Sequence, residues 1–436
     1  MIKMKHKAIL VLSLVIVISG LYAQTKSVKK SPVLTESSPE SAGISPERLA
    51  RIDSMCVNAV AEGKIPGVVA LVVRNGKIVY YKAHGMADNQ TGRSLKRDDI
   101  FRIASQSKAI TATGVMMLWE EGKFQLDDPV SKYIPEFKDP QVLKTFKYSD
   151  TTYTTQPAKT EITIRQLITH TSGIGYGIID GDERIKMIYQ KAGVTDLFTT
   201  EKITIEESVK KLAKLPLHHE PGEKFTYSEG LDVLGYLIEV VSGMPFDIFL
   251  KTHIFDPLGM NDTRFYQPMG KAGRLVTVQQ KNSKGQWERY PVTFYDPDYP
   301  VKGAKSFFSG GAGLSSTAKD YATFLQMYLN GGEYNGVRLL SRTTVESIMG
   351  NQVGKIWGEK PDRYYGLAFS VTTAQGQDKG GNGSIGTFGW GGYFNTNYFA
   401  DPREKIIGIL MKQTQEANLD DTEWKFHILV GEAIDD

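Results

Sequence analysis

β-strand patterns stand at both ends of this chain with helical spacing between them, and that arrangement constrains the fold more than any other feature. Near the start, 68–74 and 78–83 are rich in β-branched and aromatic residues and flank Asn75-Gly76, the strongest short hairpin signal there is. Near the end, 365–371, 394–400 and 406–411 read as strands and 421–434 as a closing helix. Between them, 164–169, 205–215, 231–241 and 246–253 carry apolar residues three and four apart, separated by long polar, Tyr-rich loops. The expected fold is α+β with two lobes. One is a sheet lobe built from both chain ends (about 41–125 plus 305–436), and the other is a mainly helical insertion (about 126–304). Ser45 ahead of Pro46 opens a first helix, running to Ala61, and Thr317 with Asp320 forms a capping pair for another, 317–329. The stretch 271–309 is too long for a simple connection and reads as a lid or binding wall.

Residues 1–23 have the layout of a secretory signal: a basic start with Lys3, Lys5 and Lys7, an apolar run at 8–18, then small and turn-forming residues to Ala23. A membrane anchor needs about 20 apolar residues; this run is shorter and breaks at Ser19-Gly20. A periplasmic or secreted protein is expected, with no stable membrane insertion after signal cleavage. Residues 24–40 read as a polar tether ahead of the domain at 41–436. Without 1–23 the chain carries 49 basic and 49 acidic residues, which argues against nucleic acid or an anionic membrane as its main partner. Cys56 is the one cysteine, so there is no internal disulfide, zinc cluster or redox pair, and its helical apolar surroundings place it in the core. The seven His include no His-Glu-x-x-His pair, and neither a metal nor a cofactor is expected.

Ser-x-x-Lys occurs four times, and context separates the copies. Ser27 with Lys30 lies in the tether, Ser208 with Lys211 in a charged helical segment, and Ser316 with Lys319 at a helix start where the Ser caps. Only Ser105-Gln106-Ser107-Lys108 has both an apolar approach (Ile100, Phe101, Ile103, Ala104) and an apolar helix after it, expected from about Ser105 to Glu121. Residues three apart share a helix face, so Lys108 sits beside Ser105. At the helix start Ser105 gains the field of the N-terminus, and its own N–H can serve an oxyanion. A free Ser is a poor nucleophile and needs a base. Lys and Tyr ordinarily titrate at about 10.4 and 10, and lowering either by three units takes roughly 4 kcal/mol. Burial disfavours an ammonium and a neighbouring Lys favours a phenolate, so a coupled Lys–Tyr pair can supply that base. Taken alone, the motif reads equally well as a capping Ser with a solvated Lys.

Further segments resemble one family. Residues 101–111 (FRIASQSKAIT) are similar to the nucleophile helix of the serine β-lactamase-related proteins, the group of class C β-lactamases, low-molecular-weight penicillin-binding proteins and family VIII carboxylesterases. Leu167-Ile168-Thr169-His170-Thr171-Ser172-Gly173 resembles that group's structural turn. Phe225-Thr226-Tyr227-Ser228 falls where its second catalytic motif belongs, and Phe388-Gly389-Trp390-Gly391-Gly392 where its third does. Residues 311–317 and 256–260 are also similar to family features, and the segments keep the family order from about Ser41 to Gly431. The resemblance implies an antiparallel sheet flanked by helices, a helical lobe, and a site in the cleft between. It implies Ser105, Lys108 and Tyr227 as catalytic residues, the backbone N–H groups of Ser105 and Tyr393 as the oxyanion hole, and Gln106, Glu229, Trp390, Gly391 and Gly392 as substrate-binding residues. It gives His170 a structural hydrogen bond and no chemistry.

Two departures narrow what the resemblance implies. The second motif is Tyr227-Ser228-Glu229 where β-lactamases and penicillin-binding proteins have Tyr-x-Asn. A carboxylate there is expected to hold the Lys108 ammonium charged and to shift the base role to Tyr227. In the third motif Trp390 replaces the Lys or His that grips a substrate carboxylate, and one indole N–H cannot anchor an anion. Trp-Gly-Gly is similar to the family VIII esterases. The expectation is an exported carboxylesterase acting through an acyl-serine on small esters. An acyltransferase that hands the acyl group to an alcohol or amine is the first alternative, with Tyr148, Tyr153, Tyr176, Tyr189, Tyr290, Phe294, Tyr295 and Tyr299 as a candidate acceptor pocket or as loop packing. A D-amino-acid peptidase, penicillin-binding protein or β-lactamase is the second, and a non-catalytic binding protein the third.

Overall fold

An unbroken apolar strand needs cover on both faces, and β2 (Gly67–Arg74) has it. In the computed structural model, which describes residues 25–358, 361–415 and 417–436, Val69, Leu71 and Val73 face a large core cluster while Val68, Ala70 and Val72 face a second, smaller one. The expected signal segment lies outside the described residues. β2 turns at Asn75 and Gly76, both at positive φ (52° and 73°), into β3 (Lys77–Asp88), as the Asn-Gly signal predicts.

The sheet is completed by the chain's last quarter: β4 (Arg363–Tyr365), β5 (Ser370–Thr372), β6 (Phe388–Gly392), β7 (Thr396–Asp401) and β8 (Ile406–Met411). A two-residue strand, β1 (Thr35–Glu36), lies parallel to β3 at the opposite edge. The order is β1-β3-β2-β8-β7-β6-β5-β4, antiparallel apart from β1. The run 365–371 is thus two strands and not one, because the chain reverses where Ala368 takes φ 67°. Helices α1 (Pro46–Ala61) and α5 (Thr422–Glu432) cover one face, and buried Cys56 packs there with Ile52, Phe426 and Val430. That burial pushes its thiol up to about 12.

On the other face lie α2 (Ser107–Glu120) and α4 (Ala318–Leu329), the latter capped by Thr317, whose side chain accepts from the Asp320 N–H at 3.1 Å. α2 is buried nearly all round, as a helix without a polar face must be. It packs on α3 (Gly230–Ser242) of the inserted lobe, so one core cluster runs from the sheet through α2 into that lobe. The insertion is mainly helical but also holds two hairpins, Gln141–Lys147 with Thr152–Pro157 and Gln279–Lys281 with Trp287–Arg289.

Residues 25–40, expected as a tether, run along the body. Ser27 N–H donates to Gly336 O at 2.9 Å, Leu34 N–H donates to the Tyr334 hydroxyl at 2.8 Å, and Leu34 itself is buried. Polar composition concealed this, because the segment is held through its backbone and one apolar side chain.

Candidate active site

Ser105 sits at a bend and not inside the helix that follows. Residues Ala104–Gln106 form a 3₁₀ turn, and the α-helix begins at Ser107. Ala104 takes φ 42°, a left-handed conformation that a residue with a Cβ adopts only when its surroundings over-determine it. Those surroundings are visible. Ile103 N–H donates to Leu314 O at 3.0 Å, Leu314 N–H donates to Ser107 Oγ at 3.1 Å, and Phe101–Arg102 pairs antiparallel with Ser315–Ser316. Arg102 is buried, and its guanidinium donates to Pro297 O at 2.6 Å and Val276 O at 2.7 Å, so the long 271–309 segment braces the nucleophile turn from behind.

Lys108 and Tyr227 both meet Ser105. The Tyr227 hydroxyl donates to Ser105 Oγ at 2.7 Å, and Lys108 Nζ lies 3.2 Å from the same oxygen. Lys108 Nζ also donates to Tyr176 OH at 3.1 Å and Gly311 O at 2.8 Å. Three acceptors match the three N–H bonds of an ammonium. That ammonium stands 4.6 Å from the Tyr227 ring centroid and 5.1 Å from that of Tyr176. Tyr176, expected only among the aromatic loop residues, is therefore part of the site. Its phenol is held well above its ordinary pKa by burial and by Tyr227 beside it.

The second motif is positioned by His170, itself at φ 57° and buried. Its Nδ1 accepts from the Ser228 N–H at 3.2 Å and lies 3.0 Å from Ser228 Oγ, while its ring lies 4.6 Å from that of Tyr227. Burial and the Lys108 charge push the imidazole well below its usual pKa, so it is a neutral prop, as expected. Tyr227 is clasped on its other sides by Tyr176 and Trp390, with centroids at 5.3 and 6.0 Å.

Glu229 corrects the sequence reading. It is buried, its Oε1 has no hydrogen-bond partner, and burial with Asp196, Asp232 and Asp180 around it drives its pKa well above the usual carboxylate range. Burial disfavours the ionised form of this carboxyl, so its hold on the Lys108 charge is weakened, and its side chain is enclosed and not exposed to substrate. Asp232 on α3 also couples to Lys108; its Oδ1 accepts from the Gly311 N–H at 3.3 Å, one residue's backbone away from the ammonium. Gln106 is a second correction. It is fully buried with both amide atoms unpartnered, and its carbonyl accepts from Tyr321 OH at 3.0 Å. A 3₁₀ turn swings successive side chains by a third of a revolution, so with Ser105 in the cleft Gln106 faces the interior.

The third motif does border the site. Gly392 lies so close to the nucleophile turn that a Cβ there would meet Ile103 O at 2.6 Å, and Thr396 Oγ1 closer still. Tyr393, next along, packs on a cluster that includes Ala104, Phe198, Tyr295, Tyr299 and Phe394, with its carbonyl accepting from Gln415 Nε2 at 3.1 Å. Of the eight aromatic loop residues, Tyr176, Tyr290, Tyr295 and Tyr299 belong to this cluster. Phe294 is exposed but edges onto Tyr295, whereas Tyr148 and Tyr153 are exposed on a hairpin and Tyr189 is buried with its hydroxyl accepting from the Gly175 N–H at 3.0 Å. Among the described residues, no group of three or more His, Cys, Asp or Glu is arranged to hold a metal ion.

The family model described as beta-lactamase matches residues 52–432. Esterase EstB of Burkholderia gladioli is 30% identical over 386 residues, 84% of this chain and 90% of that one. Protein Rv1367c of Mycobacterium tuberculosis is 32% identical over 368 residues, 80% of this chain and 86% of that one. Among solved structures, EstCE1, described as a hydrolase with promiscuous acyltransferase activity, superposes with a TM-score of 0.73 at 26% identity, covering 89% of this chain and 99% of that one.

Proposed function

Because the chain belongs to the β-lactamase family of serine hydrolases, we propose that it is a carboxylesterase on small, uncharged esters. The observation that carries the reading is the pair of contacts on Ser105 Oγ, from Tyr227 at 2.7 Å and Lys108 at 3.2 Å. Tyr227 first gives its phenol proton to solvent, and the resulting phenolate, stabilised by the Lys108 ammonium, takes the Ser105 proton as Oγ bonds to the ester carbonyl carbon. The carbonyl electron pair moves to oxygen, which accepts from the Ser105 and Tyr393 N–H groups. Collapse breaks the ester C–O bond, and the departing alkoxide takes the proton back from Tyr227. Water repeats the sequence on the acyl-serine and releases the acid.

Trp390 supports uncharged esters over β-lactams or peptide C-termini, since it places an aromatic wall against Tyr227 and no cation. Likeness to EstB supports the esterase reading. The aromatic cluster beside Tyr393, together with the description of EstCE1, supports a second reading, transfer of the acyl group to an alcohol or amine. Residues 1–23 support export to the periplasm or beyond. The test is steady-state turnover of a nitrophenyl ester series and a penicillin panel by the purified chain, with product analysis in added alcohol. Ester turnover with no penicillin turnover is expected. Penicillin hydrolysis faster than any ester would overturn the substrate assignment.

A further inference from the structure

Strand β6 presents Trp390 to the catalytic cleft, and its opposite face is almost bare. Gly389 and Gly391 lie on that face, with Gly408 on the nearby strand β8. Together they line a cavity of about 180 Å³ between the sheet and α5. The space is set by these glycines: a Cβ at Gly408 would collide with the rings of Phe399 and Phe426. Its apolar wall comes from Phe399, Phe426 and Leu410.

The polar wall is incomplete. Arg363 is half-buried, and its one side-chain hydrogen bond among the described residues runs from Nη2 to Asn382 Oδ1 at 3.1 Å. No carboxylate among the described residues stands within ion-pair distance of it. Burial pulls this guanidinium's pKa down, against the opposing pull of Glu423 and Asp362 nearby. Asn397 Oδ1 and His427 Nε2, also on the wall, are buried without hydrogen-bond partners, and burial with Arg363 nearby holds the imidazole neutral, at about 4. Among the described residues Glu423 is the one carboxylate lining the cavity, and it stands exposed at the rim. Buried polar groups are ordinarily satisfied, and here two unsatisfied ones and a guanidinium with a single side-chain hydrogen bond converge on a space that can hold a molecule.

We propose that this cavity is a binding site for a small aromatic or branched carboxylate, its carboxylate on Arg363 and its apolar body on Phe399 and Phe426. The volume suits such a ligand, since a cavity of about 150 Å³ accepts a benzene ring. The site lies across the sheet from Ser105 and is separate from the catalytic cleft. A guest there backs β6 directly behind Trp390, so it stiffens the strand that closes the catalytic site.

Calorimetric titration with sodium benzoate, on protein whose Ser105 has been blocked by a fluorophosphonate, tests the site apart from the catalytic assignment. If labelling fails, the Ser105→Ala protein is used, so loss of the esterase reading does not remove the test. One saturable site is expected for benzoate and none for uncharged benzamide, a comparison that needs no variant. Arg363→Gln is expected to weaken benzoate at least about tenfold, the cost of leaving a desolvated charge without its partner, and Glu423→Gln to leave it equal or tighter. No saturable benzoate binding, equal binding of benzamide, or looser binding in Glu423→Gln overturns the proposal, as does unchanged binding in a folded Arg363→Gln.

Discussion

Tyr176 lies stacked on Tyr227, ring centroids 5.3 Å apart and planes 22° from parallel, and the two phenols face one ammonium from different helical-lobe loops. The pairing divides the work. The Tyr227 hydroxyl meets Ser105, whereas the Tyr176 hydroxyl meets only Lys108 among the catalytic groups. Tyr227→Phe is therefore expected to lower kcat by about 10²–10⁴, the usual weight of one proton-transfer group. Tyr176→Phe removes a hydrogen bond to a charged group and is expected to cost about 10-fold to 100-fold. Both keep their rings, so thermal unfolding within a few degrees of the parent is the control. A Tyr227→Phe protein with parental kcat would remove the proposed base.

Ser105→Ala is expected to reduce turnover of short-chain nitrophenyl esters by about 10³-fold or more and to abolish covalent fluorophosphonate labelling. The turn around it is fixed through backbone bonds of Ile103 and Leu314, which the substitution leaves in place. Parental activity in the variant would mean that another group attacks the ester.

Gly392→Ala probes the oxyanion hole without altering the side chains of Ser105, Lys108 or Tyr227. The added methyl meets Ile103 O and Thr396 Oγ1, so β6 must back away from the nucleophile turn and carry the Tyr393 N–H with it. A fall in kcat of about 10²-fold with KM changed much less is the expected split, since a lost oxyanion donor is worth about that much. A change confined to KM would place Tyr393 outside the transition state.

The buried carboxyls give a stability signature. Asp196 titrates at about 6 in the folded protein and Glu229 well above its ordinary range, against about 4 for both in an unfolded chain. Between those values the unfolded chain has lost protons that the native chain retains, so stability falls as pH rises. For Asp196 the loss runs from about pH 4 to 6, and for Glu229 it continues upward. Asp196→Asn and Glu229→Gln are each expected to flatten their part of the curve in urea unfolding from pH 4.5 to 8. Slopes equal to the parent's would show that these groups ionise freely.

The meeting of Ser105, Lys108 and Tyr227 was legible because each member sits in a local pattern with an unusual setting: Ser105 and Lys108 before an apolar helix, Tyr227 after Pro221-Gly222. The sheet was legible for a similar reason, since Asn75-Gly76 and the uninterrupted 406–411 run leave little choice. Gln106 and Glu229 were misplaced because sequence spacing says which residues are neighbours but not which face of a helix start meets the cleft. The role of Tyr176 rests on a contact 68 positions away, and its only local sign is the glycines around it. Gly175 and Gly177 let Asp180 and Asp196 approach, where a Cβ on either would clash. The left-handed Ala104 had no signature at all, since nothing in Ile-Ala-Ser demands it.

Arg102 is joined across the molecule to Gln413, whose side-chain amide accepts from the Arg102 N–H at 3.0 Å and donates to the Arg102 carbonyl at 3.0 Å. The residue three places before the nucleophile is thus fastened to one of the last stretches to leave the ribosome. A polypeptide that has not yet reached Gln413 carries the whole Ser-x-x-Lys motif without this clasp on its approach. The full set of braces on the nucleophile turn is therefore complete only once the closing segment has been made.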